Sequence, residues 1–491
     1  MAQPARPANN NKCHSVEHPK QPLSRPTELR QWELPPSLRM RLDAWGPQLQ
    51  RKVSAARAAW MSKSGLGRSG VGVKLPTKDQ LHVGTDCSGA EAPVWSLRSM
   101  NIPHTHAFSC DVSENVRKFL QTCSPPVGPI YQDMLRRDVE SIPAHSLYVC
   151  GFPCTPYSGL RAHRTKLMRE PAAKPFFFAI KTIRKCLPAA AVLENVLGID
   201  RVLTRVLRCL ENLLWYHVLV MLIDSASLGE PVSRPRYYFI LIRKDVSLLT
   251  APQLEDFAKT LYKASCAVPS DDITSRMLPD SSPEVKALRA QVCTARQNGN
   301  RKAKWQMHHD NFARQHGARR KKDVHVAGLS AERAREAFSL LSQVHKGGNM
   351  IADVSQSVHR AAVTTSGVSP TVTPHGLVVA QRLQRIMLPI EKLMVHNFPV
   401  HRMKIPTSIT DPVLASLGGN TMHLASVGLA MLIAISAVDW ANGASGPGKK
   451  PSGPTLARKQ AIVIKHGQGR KRPRQLEDGK ASKKRMALRK G

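Results

Sequence analysis

The chain has 491 residues, and its 72 Lys and Arg against 35 Asp and Glu give a formal net charge of +37. This balance is atypical of a neutral metabolic enzyme and indicates a polyanionic partner, nucleic acid before an anionic membrane. Only 5% of the residues are aromatic, which argues against a surface built mainly from stacked bases. A merely basic, soluble surface is the alternative interpretation.

The ten cysteines are scattered, and no pair has the C-x2-C spacing of a zinc knuckle. The sequence therefore predicts no metal site, and a chain of this size needs no disulfide framework, so a reducing compartment fits best. The segment MAQPARPANNNKCH at the start contains no apolar stretch of a secretory signal. The longest apolar run, 424–438, is too short to span a bilayer and carries serines, so we expect no membrane segment.

Residues 1–78 are predicted to be a disordered, basic N-terminal arm. Residues 1–36 are rich in Pro, Asn, Gln and Arg, a composition typical of disorder. Residues 37–64 are compatible with one or two basic helices, but a solvated arm is slightly favoured over a packed one. The segment GLGRSGVGVK, 65–74, is typical of a flexible linker.

From residue 81 onward, short apolar runs alternate with helical periods. Strands are predicted at 81–85, 106–110, 147–151, 189–194, 218–224 and 237–243, with helices at 91–100, 113–122, 176–186 and 200–214. This alternation predicts βαβ units and a mostly parallel sheet, so the fold class is α/β and doubly wound, with a catalytic domain at 79–249. Ligands of such sheets bind beyond the carboxyl ends of the strands, where Gly89, Asp111, Cys154 and Glu194 fall.

The alternation is lost over 250–380, which is predicted to be a small irregular lobe. Its most basic stretch, 286–325, is either a lobe that faces a polyanion or a disordered loop. Residues 381–441 are predicted to return to the catalytic domain, with helices near 388–397 and 420–437. Residues 442–491 are predicted to be a disordered basic tail.

Two basic clusters stand in that tail. GRKRPR (469–474) and KKRMALRK (483–490) have the separation of a bipartite nuclear import signal, and a non-specific DNA-binding tail is nearly as good an interpretation. We therefore expect the protein in the nucleus.

The segment YVCGFPCTPYSGL, 148–160, carries the most distinctive chemistry in the sequence. Two prolines and a glycine end the strand abruptly and hold Cys154 in a stiff turn. Cys154 is either a packed thiol or a nucleophile on a rigid loop. Cys150 is expected to point back into the strand as a packed thiol.

Five segments resemble, in order, motifs of the cytosine-5 DNA methyltransferases. GFPCTPYSGL resembles the proline-cysteine loop G-F-P-C-Q-P-F-S, with Thr155 for Gln and Tyr157 for Phe. AVLENVLGI (191–199) resembles the E-N-V segment, and ASLGEPVSRPRYYFILIR (226–243) resembles the R-x-R strand entry, with Val232 where Gln is usual. QRIMLPIEKLMVHNFP (384–399) and LGGNTMHLASVGLAML (417–432) resemble the late segment and the closing G-N motif.

The resemblance implies a Rossmann-like methyltransferase domain with a target-recognition lobe, and it assigns the catalytic residues. Cys154 is implied as the nucleophile that adds to C6 of a cytosine rotated out of the helix. Glu194 is implied to contact N3 and the exocyclic amine, holding a proton that burial favours. Arg234 and Arg236 match the R-x-R pair and are expected to lower the pKa of the thiol.

The weakest match lies at the cofactor end of the domain. VGTDCSGAEAP, 83–93, stands where the family has D-x-F-x-G-x-G-G. Gly89 is kept, Cys87 occupies the Phe position, and Glu91 and Ala92 replace glycines. The resemblance nevertheless implies S-adenosylmethionine as the cofactor.

The implied cofactor residues extend beyond that loop. Asp111 is expected on the ribose hydroxyls and Asp133 near the adenine amine, although both also fit ordinary helix caps or turn residues. The predicted set is Cys87, Ser88, Gly89, Asp111, Asp133 and Asn420.

DNA is the expected partner, with contacts from the basic stretch of the second lobe. On composition, Arg319, Arg320, Lys321 and Lys322 are phosphate binders rather than base readers. Trp305 and the pair His308 and His309 either belong to a core or stack on bases, and no metal spacing supports the histidines as ligands.

Two other functions remain open at this point. The first is the same chemistry on tRNA, because the family includes a tRNA-methylating branch. The second is a catalytically impaired nucleic-acid-binding protein on a methyltransferase scaffold. The departures at Cys87, Glu91, Ala92 and Val232 favour this second alternative.

Overall fold

The computed structural model describes residues 28–66, 75–157, 167–291, 304–321, 324–441 and 461–464. Residues 1–27, Lys322 and all of the tail except 461–464 lie outside this part of the chain. The helices are α1 Pro36–Lys63, α2 Ala92–Ser99, α3 Glu114–Cys123, α4 Lys174–Cys186, α5 Leu203–Glu211, α6 Ala251–Ser265, α7 Pro283–Ala290, α8 Lys304–His316, α9 Glu332–Val344, α10 Glu391–Met394, α11 Asp411–Asn420 and α12 Leu424–Ser436. The strands are β1 Leu29–Arg30, β2 His82–Asp86, β3 Thr105–Cys110, β4 Ile130–Tyr131, β5 Leu147–Cys150, β6 Ala190–Val196, β7 Tyr216–Ile223, β8 Arg236–Arg243, β9 Ile351–Asp353, β10 Ala362–Thr364, β11 Val378–Ala380, β12 Arg385–Ile386, β13 Ile405–Pro406 and β14 Ile462–Ile464.

Eight strands form the central sheet, in the order β14-β7-β8-β6-β5-β2-β3-β4. Strand β8 is antiparallel to both of its neighbours, and the other pairs are parallel. Every residue of β5 and β8 is buried, as expected for strands whose two faces are both covered by helices. The predicted α/β, doubly wound fold class is therefore confirmed.

The parallel strands end together at one edge of this sheet, named the carboxyl edge below. Asp111 follows the end of β3, Gly89 lies in the loop after β2, and Cys154 lies in the loop after β5. Glu194 lies near the end of β6. The sheet thus brings the four residues to one edge, as the strand pattern predicted.

The N-terminal helix α1 is packed on the catalytic domain, so the preference for a solvated arm at 37–64 is wrong. Its residues Leu42, Trp45 and Val53 are buried, and the helix packs against α6 and α12. The indole Nε1 of Trp60 donates a 2.7 Å hydrogen bond to Asp256 of α6. Apolar residues at helical spacing, rather than the basic residues between them, decide where this helix lies.

Helix α6 also belongs to the catalytic core, although its residues fall inside the lobe predicted from residue 250. Leu254, Phe257 and Leu261 are fully buried in the same apolar cluster as the sheet residues Leu219 and Ile240. A structural boundary at 250 would cut through this cluster. The second lobe begins later in the chain.

The second lobe has regular structure and its own core within the described residues. Helices α8 and α9 pack beside a four-stranded antiparallel sheet in the order β10-β9-β11-β12. Phe312, Phe338, Leu341 and Met350 are buried between them. The alternative of a disordered loop is therefore wrong for residues 304–321 and 324–325.

Strand β14 lies inside the tail whose composition predicts disorder from residue 442 onward. It pairs in parallel with β7 and places Ile464 in the core of the catalytic domain. Among the described residues, no single helix is long and apolar enough to cross a membrane. The bent pair α11 and α12 meets that criterion together by length and composition only, and α12 is buried throughout.

Candidate active site

The loop that carries Cys154 is held from both sides. Phe152 is buried, and its ring lies 6.2 Å from that of Tyr157 and 5.0 Å from that of Phe176, measured between centroids. The side-chain amide of Asn195 donates a 2.9 Å hydrogen bond to the Phe152 carbonyl. The backbone N–H of Tyr157 donates to the Cys154 carbonyl at 2.8 Å and closes the turn. These contacts hold the loop in a defined conformation, as its prolines predicted.

Two side chains approach the backbone closely at the start of this loop. A Cβ atom at Gly151 would lie 2.6 Å from the Cε of Met422 and 3.4 Å from Oε2 of Glu194. The carboxyl group of Glu194 and the segment before α12 therefore both border the loop that carries Cys154. Cys150, at the end of β5, is fully buried, which confirms it as a packed thiol.

Glu194 and Arg236 form an ion pair across neighbouring strands. Val196 of β6 is paired with Arg236 of β8, so Glu194 lies two residues along the same face. The Nε of Arg236 lies 3.0 Å from Oε1 of Glu194, and both side chains are only about a tenth exposed. Burial raises the pKa of Glu194, and the charges of Arg236 and Arg234 oppose this only in part. The direction agrees with the prediction of a carboxyl group that holds a proton.

Arg234 uses its donors to join three segments. Its two terminal nitrogens donate to the carbonyls of Val372 and Gly419 at 2.9 and 3.0 Å. Its backbone N–H donates to Oδ1 of Asp224 at 2.8 Å. Burial, followed by the like charge of Arg236, lowers the pKa of Arg234 to about 9. These contacts make Arg234 a residue that positions the strand entry and the closing segment around the site.

The thiol of Cys154 is half-buried and its pKa is raised, contrary to the prediction that the arginines lower it. Burial is the largest cause, and the negative charge of Glu194 adds to it. Arg236 and Arg234 do act in the expected direction, but their effect is smaller. The sulfur, the carboxyl group and the two guanidinium groups therefore lie within electrostatic range of one another.

The loop between β2 and α2 has three residues with positive φ: Cys87 at 52°, Gly89 at 52° and Glu91 at 61°. The N–H of Gly89 donates to Oδ2 of Asp111 at 3.1 Å, and the N–H of Ser113 donates to Oδ1 at 2.9 Å. A Cβ atom at Gly89 would meet no other atom within 4 Å, so open space borders this turn. Asp111 thus holds the loop through both of its carboxylate oxygens.

The predicted contact at Ser88 is used within the protein. Its hydroxyl accepts the N–H of Cys110 at 3.0 Å and lies 2.8 Å from the hydroxyl of Thr85. Ser88 therefore ties the loop to β3.

Asp133 and Asn420 differ in their surroundings. Oδ1 of Asp133 accepts the N–H of Leu135 at 2.9 Å, the contact of a turn residue. Asn420 is exposed at the end of α11, and its amide donates to the hydroxyl of Ser416 at 3.2 Å.

Glu91 forms a buried network that the sequence motifs did not predict. Its side chain is fully buried, and Oε2 accepts hydrogen bonds from the hydroxyls of Ser109 at 2.8 Å and Thr85 at 3.2 Å. The Nε2 atom of His106 lies 2.9 Å from the same Ser109 hydroxyl. Burial raises the pKa of Glu91 to about 8. The side chain that replaces a family glycine is thus turned into the core and leaves the loop surface uncovered.

A second buried network, equally unpredicted, lies at the end of β2. Both terminal nitrogens of Arg137 donate to the carboxylate of Asp86 at 2.6 Å, and the hydroxyl of Tyr148 donates to Asp86 at 2.6 Å. The guanidinium lies 5.1 Å from the ring centroids of Phe108 and Tyr131. Because Asp86 is paired in register with Cys150, this network supports both loops at the point where they leave the sheet.

The four predicted phosphate binders are not equivalent. Arg319 and Lys321 are exposed, and Lys322 lies outside the described residues. The guanidinium of Arg320 pairs with both carboxylate oxygens of Glu336 and with Asp310 at 2.7 Å. Interpreting Arg320 as a free phosphate contact is therefore wrong, because its donors stabilise the second lobe.

The aromatic residues of helix α8 also include both buried and exposed side chains. His309 is buried, with Nδ1 3.0 Å from Oε1 of Glu336, and so belongs to the core of the lobe. The ring of Trp305 lies edge-on to that of His309, with centroids 5.0 Å apart. His308 is exposed.

Comparison with known proteins relates this geometry to one family. A family model for C-5 cytosine-specific DNA methylase matches residues 87–420. A stretch of 149 residues is 27% identical to the Type II methyltransferase M.HgiCII of Herpetosiphon aurantiacus, covering 29% of this chain and 33% of that protein. A stretch of 113 residues is 30% identical to the Type II methyltransferase M.DsaV of Dactylococcopsis salina, covering 22% and 31%. The matches thus span about a third of the length of these relatives.

Solved structures give more distant similarities. The S. pombe Dnmt2 methyltransferase aligns with a TM-score of 0.46 at 13% identity, covering 72% of this chain and 97% of that chain. The Entamoeba histolytica methyltransferase EhMeth aligns with a TM-score of 0.43 at 14% identity, with the same coverage. The family match covers more than half of the chain and includes Cys154, Glu194 and the R-x-R pair. The chain therefore belongs to the C-5 cytosine-specific DNA methylase family.

Proposed function

We propose that this protein is a DNA (cytosine-5)-methyltransferase that uses S-adenosylmethionine. The observation that carries the proposal is the grouping of Cys154, Glu194 and Arg236 at the carboxyl edge. A half-buried thiol on a fixed turn stands within electrostatic range of a carboxyl group held by an arginine. Family membership supplies the chemistry for which such a group is suited.

The residues at the end of β2 fit the cofactor. Open space borders Gly89, and the side chain of Glu91 is turned away from it into the core. We assign the cofactor to the loop 87–91, with Asp111 on the ribose hydroxyls and Asp133 near the adenine. When bound, S-adenosylmethionine supplies an electrophilic methyl group on a sulfonium. Ser88 supports the loop, and Asn420 remains a prediction from the closing motif.

Cys154 acts on the cytosine ring. Its thiolate forms a bond to C6 while Glu194 holds a proton at N3, so the electron pair of the C5–C6 bond is displaced and C5 becomes nucleophilic. Once C5 carries a methyl group, transfer of the C5 proton to solvent water would re-form the C5–C6 double bond, expel the Cys154 thiolate and return the N3 proton to Glu194. The base reaches the thiol only when it is rotated out of the duplex, at a cost of a few kcal/mol.

Protonation of Glu194 and ionisation of Cys154 support each other. The negative charge of Glu194 is one of the causes that raise the pKa of the thiol. When Glu194 is neutral this cause disappears, while Arg236 and Arg234 continue to favour the thiolate. The proton that Glu194 holds at N3 therefore also helps to form the nucleophile at the moment that the base is bound.

DNA is the proposed substrate. The net charge of +37 and the exposed Arg319 and Lys321 of the second lobe favour a polyanion. Because binding would neutralise many phosphates, affinity should fall steeply as salt rises. A salt response close to flat would exclude these basic residues as contacts.

Trapping with a 5-fluorocytosine duplex tests the chemistry directly. Fluorine cannot leave C5 as a proton does, so an active enzyme stays covalently attached to the DNA. We expect a complex, stable to denaturation, that requires both S-adenosylmethionine and Cys154. Absence of this complex with a protein that binds the cofactor would contradict the proposed mechanism.

Two measurements separate the remaining alternatives. Methyl incorporation into matched DNA and tRNA substrates distinguishes the DNA enzyme from one that acts on RNA. Calorimetry with S-adenosylmethionine identifies a binding-only protein, which would take up none.

Nuclear localisation also remains a proposal. Its basis is the pair of basic clusters at 469–474 and 483–490, which lie outside the described residues. A fluorescent fusion lacking 469–490 should lose nuclear accumulation if the clusters form an import signal. Unchanged accumulation would exclude that role.

A further inference from the structure

A groove between helices α4 and α5 has no part in the proposed chemistry. It has a volume of about 230 Å³ and is lined by Phe177, Ile180, Lys181, Arg184, Cys209 and Asn212. We infer that this groove, named the α4–α5 groove, binds a single-stranded segment of DNA, with one base against Phe177 and the phosphates on the surrounding cations. The choice of DNA rests on the proposed function and adds to it a second contact outside the active site.

The α4–α5 groove follows one face of each helix. In α4 its residues stand at positions i, i+3, i+4 and i+7, counted from Phe177. In α5 they are Cys209 and Asn212, which are three residues apart. Arg205 and Arg208 each precede one of these two by four residues, so they extend the same face of α5 toward its first turn. Cations therefore stand along both helices of the groove.

The cations of the α4–α5 groove lack carboxylate partners within the described part of the chain. Four side chains are exposed and positively charged, namely Lys181, Arg184, Arg205 and Arg208. Among the described residues, none of the four makes an ion pair or a side-chain hydrogen bond. In α3, by contrast, the exposed Lys118 pairs with Glu114 one turn earlier. Helix α4 contains no acidic residue, and the one in α5, Glu211, accepts the N–H of Ala461. This concentration of unpaired positive charge attracts an anionic ligand.

The lining of the α4–α5 groove suits a nucleotide better than a small anion. The ring of Phe177 is 39% exposed, and Ile180 and Cys209 add apolar surface beside it. The groove is smaller than the roughly 300–1,000 Å³ of a pocket that encloses a whole small molecule, so it suits one flat ring. An aromatic side chain in a basic groove is typical of sites for single-stranded nucleic acid, because every base can stack on it. The bases of a duplex are already stacked on one another, so the expected ligand is an unpaired base.

The α4–α5 groove begins next to the loop that carries the proposed nucleophile. The ring of Phe176, at the start of α4, lies 5.0 Å from that of Phe152 in this loop, measured between centroids. Burial, followed by the charge of Glu170, raises the pKa of Tyr157 to about 12, and the charge of Arg205 opposes this rise. Arg205 therefore stands within electrostatic range of the same loop. A DNA strand that leaves the active site thus has a short path into the groove.

Removal of single cations is the first test. Binding of a short labelled oligothymidine to the full chain is measured by fluorescence anisotropy across a salt series, without cofactor. Arg184→Gln and Arg208→Gln should each lower the affinity by roughly three- to ten-fold and reduce the salt slope by roughly 0.7 for each phosphate contact that is lost. Lys185→Gln is the matched control, because Lys185 neighbours Arg184 in α4 but pairs with Glu140. Equal effects of the three variants would overturn the inference.

The exposed phenylalanine offers a second test that is independent of charge. Phe177→Ala should weaken oligothymidine binding by about five-fold or more, because stacking of a base is lost, whereas Phe177→Trp should restore it. A purely structural role would not be rescued by the bulkier ring. Where Phe177→Ala fails to fold, an oligonucleotide that carries 5-iodouracil keeps the inference testable, since irradiation should cross-link it to Phe177 of the wild-type protein. Cross-links confined to the second lobe would overturn the inference.

Other ligands are outcomes of the same titrations. A single-stranded RNA of matched sequence that binds through Arg184 at least about ten-fold more tightly would overturn the choice of DNA. An oligoglutamate peptide that binds through Arg184 where oligothymidine does not would point to an acidic protein partner and would likewise overturn the inference. Trapping by 5-fluorocytosine reports on the proposed function separately. Oligothymidine binding that depends on Arg184, without any trapping, would support the groove and contradict the proposed function.

Discussion

The two ends of the site are built in opposite ways. At the catalytic end, Glu194 and Arg236 form a largely buried pair, and their charges act on the half-buried thiol of Cys154. At the cofactor end, the polar side chains of Glu91 and Asp86 point inward and are bonded within the protein. Residue identities in the sequence therefore bear directly on the catalytic end. Ligand binding at the cofactor end depends instead on the shape of the backbone.

This difference explains how the chain departs from the family at the cofactor loop. A large residue at a glycine position would obstruct a ligand if its side chain pointed outward. Glu91 adopts positive φ and buries its carboxyl group with Ser109 and Thr85, so only its backbone faces the loop. Because burial disfavours the charged form, the carboxyl group of Glu91 stays protonated up to about pH 8.

The largest expected effect is at the catalytic end. Cys154→Ala removes the only atom proposed to bond to the base, so methyl transfer should fall by at least about 10⁴-fold, while DNA affinity changes by no more than a few-fold. Radiolabelled methyl incorporation and a binding titration measure the two quantities. Cys150→Ala, at the buried end of the preceding strand, is the matched control and should keep most of the activity. Turnover by Cys154→Ala would exclude the nucleophile.

The next effect is expected at the carboxyl group. Glu194→Gln keeps the shape of the side chain but cannot hold or release a proton at N3, so kcat should fall by about 10²- to 10⁴-fold. Single-turnover kinetics separate this loss from binding. Glu140→Gln, at an exposed carboxyl, is the control. A Glu194→Gln enzyme with normal single-turnover rate would show that the proton comes from elsewhere.

At the cofactor end, the expected effect is on stability. Arg137→Met leaves the buried carboxylate of Asp86 without its cation, and breaking such a pair typically costs about 3–5 kcal/mol, so the free energy of unfolding should fall by a similar amount. Arg136→Met, at the neighbouring and 89% exposed side chain, should change it by less than about 0.5 kcal/mol. Urea denaturation of the two variants gives the comparison, and similar values would show that the buried pair contributes little.

The smallest and most specific effect is a pH dependence. The pKa of Glu91 is raised from an ordinary value of 4.5 to about 8. Below pH 4.5 both states are protonated, and between 4.5 and 8 only the folded state keeps its proton. The protonated Glu91 therefore contributes fully to the free energy of unfolding at low pH, and this contribution is lost as pH rises to about 8. Relative to Glu91→Gln, the free energy of unfolding of the wild-type protein should fall by about 2.5 kcal/mol between about pH 5.5 and 7.5.

Chemical denaturation at several pH values checks this difference between the two proteins. Parallel stability curves for wild type and Glu91→Gln would mean that the carboxyl group is ionised in the folded state. Because Glu91→Gln serves as the reference for the wild-type protein, the contributions of the other titrating groups to the pH dependence cancel.

Local patterns in the sequence predicted the sheet and the catalytic loop. The apolar runs that end at Cys110 and Cys150 are strands, because such short runs between turn residues have few other stable arrangements. The prolines around Cys154 likewise predicted a stiff turn. These features depend on a few neighbouring residues.

Long-range packing could not be predicted in the same way. The basic residues of α1 suggested solvent, but its apolar face finds α6 and α12 far along the chain. The net pKa of Cys154 depends on how deeply the sulfur is buried, which no spacing encodes. Arg320 is one of four adjacent cations in the sequence, and its partner Glu336 lies 16 residues later on helix α9.

The position of α1 has a consequence for synthesis of the chain. Trp45 lies against Gly428 of α12, about 380 residues later in the sequence. At a typical elongation rate of roughly 5–20 residues per second, this partner emerges from the ribosome some 20–80 s after the helix. Until then the part of the apolar face of α1 that packs against α12 stays exposed. The nascent chain is therefore expected to bind chaperones during translation.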